Sequence, residues 1–361
     1  MLRVVNVVLL SSLLSACATL PSTSEEDEVL PSAQAGPFRA IVQEELGAAR
    51  AAPFVIDDSS RFVRDPSVLD ADEDPATPKV FGFFSATLAP EGEKATPSAP
   101  PNAIVRHEAE DGRSFTRRVE VVLEPALPWE GGTVGAPSTL RVNGAIWMYY
   151  AAAGGIGLAR SADGRTFTRE AEPVLAPEGG GWEQGATPSA PGVVRLPDGS
   201  FRLFYEVARP EGGSVIGEAR STDGLAWERV GSRPALAPSA VVEEEGAAHD
   251  DASVGAPAPV LATSATGRVH VRVYYAATSL TGRASVGLAG RWLDDAEGPL
   301  DRGVSPVFGG SAGVRASSPC VVVHPGYALL FANQRVKDDP PYPGVIAAVA
   351  PADGVLPPVA R

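Results

Sequence analysis

Residues 135–177 read GAPSTLRVNGAIWMYYAAAGGIGLARSADGRTFTREAEPVLAP, and residues 189–238 read SAPGVVRLPDGSFRLFYEVARPEGGSVIGEARSTDGLAWERVGSRPALAP. The two stretches match element by element. Each has a strand after Ala-Pro, an aromatic strand, a third strand containing Ile-Gly, and an Asp-Gly turn. Repetition of one unit is typical of architectures in which each unit buries its apolar face against the next. These two stretches therefore decide the fold.

Three further units extend the pattern to about Arg361. A third copy begins with GAPAPVL at 255, a weaker one surrounds SSPCVVVH at 317, and the first contains DPSVL at 65. The Asp-Gly turns at 111, 163 and 223 lie 52 and 60 residues apart (163 − 111 and 223 − 163), which suits four short strands per unit. Aromatic and β-branched strands without helical periodicity indicate an all-β fold. We predict a five-bladed β-propeller over residues 53–361.

The first residues, MLRVVNVVLLSSLLSAC, have one cation, an apolar run too short to span a bilayer, and small residues before Cys17. Leu14-Ser15-Ala16-Cys17 resembles the bacterial lipobox, and the alternative is an ordinary signal peptide. We expect a signal peptide over 1–16, lipid attachment at Cys17, and an acidic flexible tether over 17–52 with one short helix near 38–50. The chain is then an exported lipoprotein of the cell envelope, and Ala18 favours the outer membrane by analogy with other lipoproteins.

The composition limits the classes of partner that the protein is expected to bind. The net charge of −14 and the lack of a basic stripe argue against nucleic acid. Cys320 has no disulfide partner once Cys17 is lipidated, so stability must come from an apolar core. The sequence has no phosphate-binding glycine loop and no Cys/His metal spacing, so we expect no cofactor. We expect a monomer whose partners are carbohydrate and, through the lipid, a membrane.

The order of motifs carries a family resemblance. Asp-Pro in the first unit is followed by Trp-Glu, Ala-Pro, a Tyr-Tyr strand, Ile-Gly-Leu-Ala-x-Ser and Asp-Gly-x-x-aromatic. This order resembles the five-bladed propeller glycoside hydrolases, which include arabinanases, β-xylosidases, invertases and levansucrases. The resemblance covers about 300 of the 361 residues and is made of short, common elements. Sialidases are the nearest competitor, but their box has a residue between Asp and Gly.

The resemblance implies an axial pocket with three carboxylates: an Asp base in the first blade, a supporting Asp in the second, and a Glu acid in the third. Such enzymes need one group to protonate the leaving oxygen and another to activate water or attack carbon. Asp65 matches the base. Ser138 stands at the second position and Ser189 at the third, so two of the three carboxylates are missing.

Residues that differ between units are candidates for function, whereas shared ones are architectural. Glu130 and Glu183 both follow Trp and are therefore interpreted as architectural. Glu206 stands where other units have Ser85, Ala151 and Ala276, and is the best remaining acid, although a solvated strand-end glutamate is the simpler interpretation. His249 and Asp250 precede the fourth unit without a counterpart in the others, although a plain acidic surface loop is the more common case. The candidate substrate-binding residues are Arg64, Arg106, Glu218, His249, Asp250 and Arg315.

Three functions remain open from the sequence. The first is a glycoside-hydrolase-like lipoprotein that acts on or binds carbohydrate at the central pocket, with Asp65 as base and Glu206 as acid if it is active. The second is a catalytically degenerate propeller that binds a glycan or a protein. The third is a structural or assembly lipoprotein that uses the propeller rim.

Overall fold

The described part of the chain is built almost entirely from β-strands. The computed structural model describes residues 30, 34–40, 61–72, 77–96, 98–112, 115, 119–240, 248–295, 297–309, 314–324, 327–336 and 344–351. Within these ranges there is no α-helix, and two short 3-10 helices span Pro128–Glu130 and Gly181–Glu183. The strands in chain order are β1 (Arg39–Ala40), β2 (Arg61–Asp70), β3 (Val80–Leu88), β4 (Ala103–Ala109), β5 (Glu120–Leu123), β6 (Gly135–Val142), β7 (Ala145–Ala152), β8 (Gly155–Ser161), β9 (Thr168–Arg169), β10 (Ser189–Arg195), β11 (Phe201–Ala208), β12 (Ser214–Ser221), β13 (Glu228–Arg229), β14 (Ser253–Thr263), β15 (Val269–Thr278), β16 (Ala284–Trp292), β17 (Asp301–Arg302), β18 (Phe308–Gly309), β19 (Val314–His324), β20 (Tyr327–Val336) and β21 (Gly344–Pro351).

The strands form five antiparallel sheets, which are the five blades. The first four have the orders β2-β3-β4-β5, β6-β7-β8-β9, β10-β11-β12-β13 and β14-β15-β16-β17, with β18 also pairing to β16. The fifth has the order β19-β20-β21-β1. The inner strands β2, β6, β10, β14 and β19 contact their neighbours all the way round, and β19 meets β2. The predicted five-bladed propeller is confirmed.

The fifth blade takes its outermost strand from the other end of the chain. Strand β1 pairs antiparallel with β21, with Arg39 opposite Val349. Phe38 is buried, its N–H donates to Val307 O at 2.7 Å, and its ring meets Tyr274 edge-on at 5.9 Å. Residues 34–40, which we expected in the tether, therefore belong to the propeller. Strand β1 supplies the fourth, outermost strand of the fifth blade.

Of the other amino-terminal predictions, the structure contradicts part of one and does not describe the residues of the rest. The helix expected near 38–50 is replaced by strand at Arg39–Ala40, and the rest of that segment lies outside the described residues. The signal peptide over 1–16 and Cys17 also lie outside them. The part of the chain that the structure describes contains no helix with the length and apolarity that a bilayer crossing requires.

Apolar side chains fill each of the five junctions between neighbouring blades. At the junction of the second and third blades, for example, Tyr149 and Leu158 pack with Leu203 and Tyr205, all of them buried completely. Each of the other four junctions holds its own buried cluster. Because aromatic and aliphatic residues contribute about 1.5–3 kcal/mol each on full burial, these junctions hold the ring without a disulfide.

Each of three blades contains a buried carboxylate that bonds to a tyrosine and an arginine of the same blade. We call this residue the brace acid. In the third blade Glu183 Oε1 accepts hydrogen bonds from Tyr205 OH at 2.5 Å and from Arg229 Nε at 2.9 Å. Burial, and then Glu183, raise the pKa of Tyr205, so the phenol stays protonated as the donor. The same three-residue set recurs as Glu130 with Tyr150 and Arg169, and as Asp250 with Tyr275 and Arg302.

The repeated glycine of the third strand belongs to this brace. Gly217 lies opposite Tyr205 in the β11–β12 ladder, and a Cβ placed there would lie 2.5 Å from Tyr205 Cζ. Gly157 and Gly287 have the same relation to their tyrosines. The Ile-Gly or Val-Gly pair of the second, third and fourth blades is therefore required by the tyrosine ring that lies over the glycine.

Replacing a brace tyrosine should lower the free energy of unfolding more than replacing a tyrosine whose hydroxyl donates to a neutral acceptor. We expect Tyr205→Phe to lower the free energy of unfolding by about 1.5–3 kcal/mol, because a hydrogen bond to a buried carboxylate is lost. Tyr149→Phe is the matched control, since Tyr149 OH donates to Gly224 O at 2.8 Å and should cost about 0.5–1.5 kcal/mol. Urea unfolding measures both, and equal losses would contradict the brace.

Candidate active site in the axial cavity

Every inner strand contains one non-glycine residue with positive φ, and a proline follows it. These residues are Asp65 (53°), Ala136 (44°), Ala190 (42°), Ala256 (43°) and Ser318 (48°). Each lies at a register shift between the inner strand and the next strand of its blade. Positive φ costs about 1–3 kcal/mol at a residue with a side chain, so the same strained bulge is built five times around the axis. We call these five residues the hub residues.

The bulge frees the N–H of the hub residue to bond the preceding blade. Ala136 N–H donates to Ser85 Oγ at 2.6 Å, and Ala256 N–H donates to Glu206 Oε2 at 2.8 Å. Asp65 N–H donates to Asn333 Oδ1 at 2.9 Å. The acceptors occupy one equivalent place near the end of the second strand of each blade, which we call the cap position. The five cap residues are Ser85, Ala151, Glu206, Ala276 and Asn333.

The hub residues surround a cavity of about 490 Å³. Its size lies in the range of small-molecule sites. All five hub residues and the prolines that follow them line it. Among the described residues that line it, the charged ones are Arg64, Asp65 and Glu206. The carboxyl groups of Asp65 and Glu206 and the guanidinium of Arg64 therefore share one cavity on the axis.

The Asp65 carboxyl is held from both sides. Asn333 Nδ2 donates to Asp65 Oδ1 at 3.1 Å, while Arg64 Nε lies 3.8 Å from Oδ2. Asn333 thus both accepts from the backbone and donates to the side chain of Asp65. Arg64 is fixed by a hydrogen bond from its Nη2 to Ala99 O at 2.8 Å. The side chain of Asp65 keeps 22 % of its surface exposed, which leaves it open to a ligand.

The pKa of the Glu206 carboxyl is raised above its usual range. Burial raises its pKa, the hydrogen bonds from Ala256 N–H and Ser214 lower it, and the charge of Asp65 raises it again, with a net shift upward. A carboxyl that keeps its proton closer to neutral pH suits a general acid.

Ser138 and Ser189, the serines at the two missing carboxylate positions, both line the cavity. Ser138 Oγ accepts from Val193 N–H at 3.0 Å, and Ser189 Oγ donates to Glu206 O at 3.3 Å. Ser67 plays the same part in the first blade, where its Oγ accepts from Thr139 N–H at 2.9 Å. Ser138 therefore joins neighbouring inner strands.

Two predicted substrate contacts lie outside the cavity lining. Arg106 is buried between Glu108 at 2.6 Å and Glu120 at 2.9 Å. Glu218 is buried against Arg291 at 2.7 Å, across the junction with the next blade. These ion pairs explain polar residues where other units have leucine, because each charge is compensated where it is buried. They therefore connect elements of the propeller.

His249 and Asp250 have counterparts after all, and the interpretation of them as unmatched is wrong. Asp250 is the brace acid of the fourth blade, buried against Tyr275 and Arg302, each at 2.7 Å from Oδ2. His249 stacks on Tyr275 at 6.4 Å as Trp129 stacks on Tyr150 at 6.0 Å. His-Asp thus replaces Trp-Glu, and neither residue lines the cavity.

Arg315 is exposed and also lies outside the residues that line the cavity. Sequence reasoning missed Asn333, which fixes Asp65 from the opposite end of the chain. Its signal is its place at the end of the aromatic strand, equivalent to Glu206, in a unit whose repeat is too weak for confident alignment. The brace was also missed, although the two Trp-Glu pairs and the Tyr-Tyr strands were visible.

Solved structures share the fold across most of the chain. A thermostable family-43 glycoside hydrolase matches with a TM-score of 0.57 and 16% identity, over 83% of this chain and 95% of that one. The endo-arabinase from Bacteroides thetaiotaomicron matches with 0.55 and 13%, over 83% and 97%. The β-1,2-mannobiose phosphorylase from Listeria innocua, in complex with β-1,2-mannobiose, matches with 0.57 and 12%, over 87% and 96%.

No family model and no curated protein sequence matches the chain. At identities this low the likeness establishes the fold. The fold is a five-bladed β-propeller with the same architecture as these solved structures.

The raised pKa of Glu206 should make it a source of pH-dependent instability. In the folded protein Glu206 holds its proton more tightly than in the unfolded protein. Its contribution to stability is therefore present at low pH and is lost as the pH rises through the pKa of Glu206 in the folded protein. Glu206→Gln keeps an acceptor for Ala256 N–H and should stabilise the protein more at pH 7 than at pH 4. Glu91→Gln, at an exposed site, is the control for charge. Urea unfolding at both pH values measures the difference, and a pH-independent effect would count against this environment.

Proposed function

We propose that this protein binds carbohydrate in the axial cavity and hydrolyses glycosidic bonds there, with Asp65 as the base and Glu206 as the acid. The observation that carries the proposal is the pairing of these two carboxyls in one cavity, where burial and Asp65 raise the pKa of Glu206. A glycosidase needs one protonated and one ionised carboxyl on either side of the scissile bond. The shared fold with glycoside hydrolases supports the substrate class.

The roles follow from the contacts. Asn333 and Arg64 orient the Asp65 carboxylate by hydrogen bonding and by charge. Glu206 Oε2 is occupied by Ala256 N–H, so Oε1 is the oxygen that would carry the proton to the leaving group. Asp65 would then activate water or attack the anomeric carbon, and the stereochemical outcome depends on which of these it does.

Binding without hydrolysis is the second candidate. It is favoured by Ser138 and Ser189, which stand where the resemblance implies carboxylates and which make hydrogen bonds within the propeller. The two functions differ in one respect only, since both place a sugar beside Asp65. A hydrolysis assay therefore separates them once binding is established.

Substituting Asp65 should separate chemistry from binding. We expect Asp65→Asn to lower kcat at least 100-fold with a smaller change in affinity, because general base and nucleophile functions contribute factors of about 100 or more. The measurement is release of reducing sugar from arabino-oligosaccharides and manno-oligosaccharides, together with calorimetric binding. Arg315→Gln changes a charge outside the cavity and is the control expected to match the unaltered protein.

The outcomes are distinct. Activity that survives in Asp65→Asn would overturn the assignment of the base. If the unaltered protein binds a sugar without hydrolysing it, the second candidate function is selected. If none of the sugars binds, both candidate functions are contradicted.

We further propose that the protein is an exported lipoprotein held at the cell envelope through Cys17, in the outer membrane. The support is the order of cation, apolar run and small residues before Cys17. The segment 18–33 would then lie in the chain between the anchor and Gln34, whose backbone oxygen accepts a hydrogen bond from Tyr274 OH.

Removing the lipidated residue should release the protein from membranes. We expect Cys17→Ser to abolish incorporation of a labelled fatty acid and to move the protein to the soluble fraction, because acyl chains contribute about 0.8 kcal/mol per buried methylene. Cys320→Ser is the control, since Cys320 lies in the propeller, where its Sγ accepts from Val68 N–H at 3.2 Å. Labelling that persists in Cys17→Ser would refute the anchor.

A further inference from the structure

The carboxyl of Glu206 lies against a glycine of the next blade, and one serine hydroxyl shares that place. Gly255 precedes the hub residue Ala256, and a Cβ built on it would lie 2.2 Å from Glu206 Oε2 and 3.0 Å from Ser214 Oγ. A side chain at position 255 would therefore displace the carboxyl. The glycine makes room for two groups in contact with each other, since Ser214 hydrogen-bonds to Glu206.

The Ser214 hydroxyl has more acceptors within reach than it has protons to donate. Its Oγ donates to Val254 O at 3.0 Å and lies 2.9 Å from Ser253 Oγ. The Ser214 N–H also donates to Ser253 Oγ at 2.9 Å. A hydroxyl donates one hydrogen bond and accepts through its lone pairs. Ser214 Oγ can therefore donate to Val254 O or to Glu206, but not to both at once.

This hydroxyl stands beside the one cap residue that can titrate. Ser214 lies two residues before Ile216, which is the residue opposite Glu206 in the β11–β12 ladder. The corresponding places in the first, second and fourth blades are held by Asn102, Gly154 and Ala284. Among these four described places, a serine therefore occurs only in the blade whose cap residue is an acid.

We propose that Ser214 is a positioning residue for Glu206, and that its hydroxyl turns between Val254 O and the carboxyl as the carboxyl gains and loses its proton. The inference rests on the proposed hydrolysis for the role of Glu206 as the acid, whereas the hydrogen bonds themselves do not depend on it. Before a sugar binds, the protonated carboxyl donates to Ser214 Oγ, and Ser214 donates to Val254 O.

The turn follows the proton during the reaction. The leaving oxygen replaces Ser214 as the acceptor of the Glu206 proton. The O–H bond of Glu206 then breaks, the new O–H bond forms on the leaving group, and the electron pair stays on the carboxylate. Ser214 turns from Val254 O and donates to that carboxylate. When Glu206 takes a proton from solvent, the hydroxyl turns back.

The other groups around Glu206 cannot make this exchange. Ala256 N–H donates to Oε2 at 2.8 Å, and a backbone N–H cannot turn away. Burial raises the pKa of Glu206 most, Ala256 N–H and Ser214 lower it, and the charge of Asp65 raises it. Arg64 is the one cation among the described residues that line the cavity, and its Nε lies 3.8 Å from Asp65 Oδ2. Ser214 is therefore the side chain that favours the ionised carboxyl.

An NMR titration of the Glu206 carboxyl carbon tests the switch in the full protein without relying on a sugar. Ser214→Ala should raise the proton affinity of Glu206 about tenfold, because the carboxylate loses a hydrogen bond that is stronger to an ionised group than to a neutral one. Ser214→Thr keeps the hydroxyl and should restore the unaltered titration. Ser221→Ala is the matched control, since Ser221 lies in the same strand, is buried to the same degree and bonds to Asp223.

The Val254 carbonyl gives a second readout in the unaltered protein. Its carbon resonance should titrate with the midpoint of Glu206, because it loses the Ser214 donor as the carboxyl ionises, and this step should vanish in Ser214→Ala. Gly224 O, which accepts from Tyr149 OH, should not follow. In the hydrolysis assay, the alkaline limb of the kcat/KM profile should move to higher pH in Ser214→Ala by the shift that NMR measures.

The outcomes separate the switch from the proposed hydrolysis. If Ser214→Ala shifts the Glu206 titration no more than Ser221→Ala does, the switch is refuted, and a loss of stability alone makes Ser214 a link between β12 and β14. If Ser214→Ala does not fold, a Val254 carbonyl that fails to follow Glu206 in the unaltered protein overturns the switch. If Glu206 and Val254 titrate as expected but no sugar is hydrolysed, the switch stands and the proposed hydrolysis fails.

Discussion

The left-handed residue before proline near the start of each inner strand is the constraint on which the rest of the structure depends. Proline has no N–H to give to the ladder, and at Asp65, Ala136 and Ala256 the N–H of the residue before it donates to a side chain of the preceding blade. One local distortion thus links neighbouring blades and sets the wall of the axial cavity. It recurs at Asp65, Ala136, Ala190, Ala256 and Ser318. Because the backbone is the same in all five blades, the chemistry of the cavity depends on which side chains occupy the hub and cap positions.

That division explains why the sequence predicts the fold better than the site. The strands, the blade count and the grouping of Asp65 with Glu206 follow from the repeats, because alternation and turn residues act locally. Asp250 was misassigned because His-Asp replaces Trp-Glu, and residue identity alone hides an equivalence that only the shared contact to a tyrosine reveals. Arg106 and Glu218 also differ between units, yet their differences are compensated by ion pairs within the propeller. A difference between repeats therefore indicates function only when the residue also faces a cavity.

Contacts between residues far apart in the chain are the second class that sequence reasoning missed. Asn333 and Asp65 are 268 positions apart, and strand β1 pairs with β21 at opposite ends of the chain. Both follow from closing a ring, which brings the fifth blade against the first. The same closure places residues 34–40 against the fourth and fifth blades, where Phe38 packs on Tyr274 and β1 pairs with β21.

The central proposal is that a sugar binds on the propeller axis beside the Asp65 carboxylate. A crystal structure of the protein soaked with arabino-oligosaccharide or manno-oligosaccharide tests this claim most directly. The account predicts a sugar oxygen within hydrogen-bonding distance of Asp65, with the axial cavity filled. A sugar bound only on the outer rim, with the cavity holding solvent alone, would contradict it.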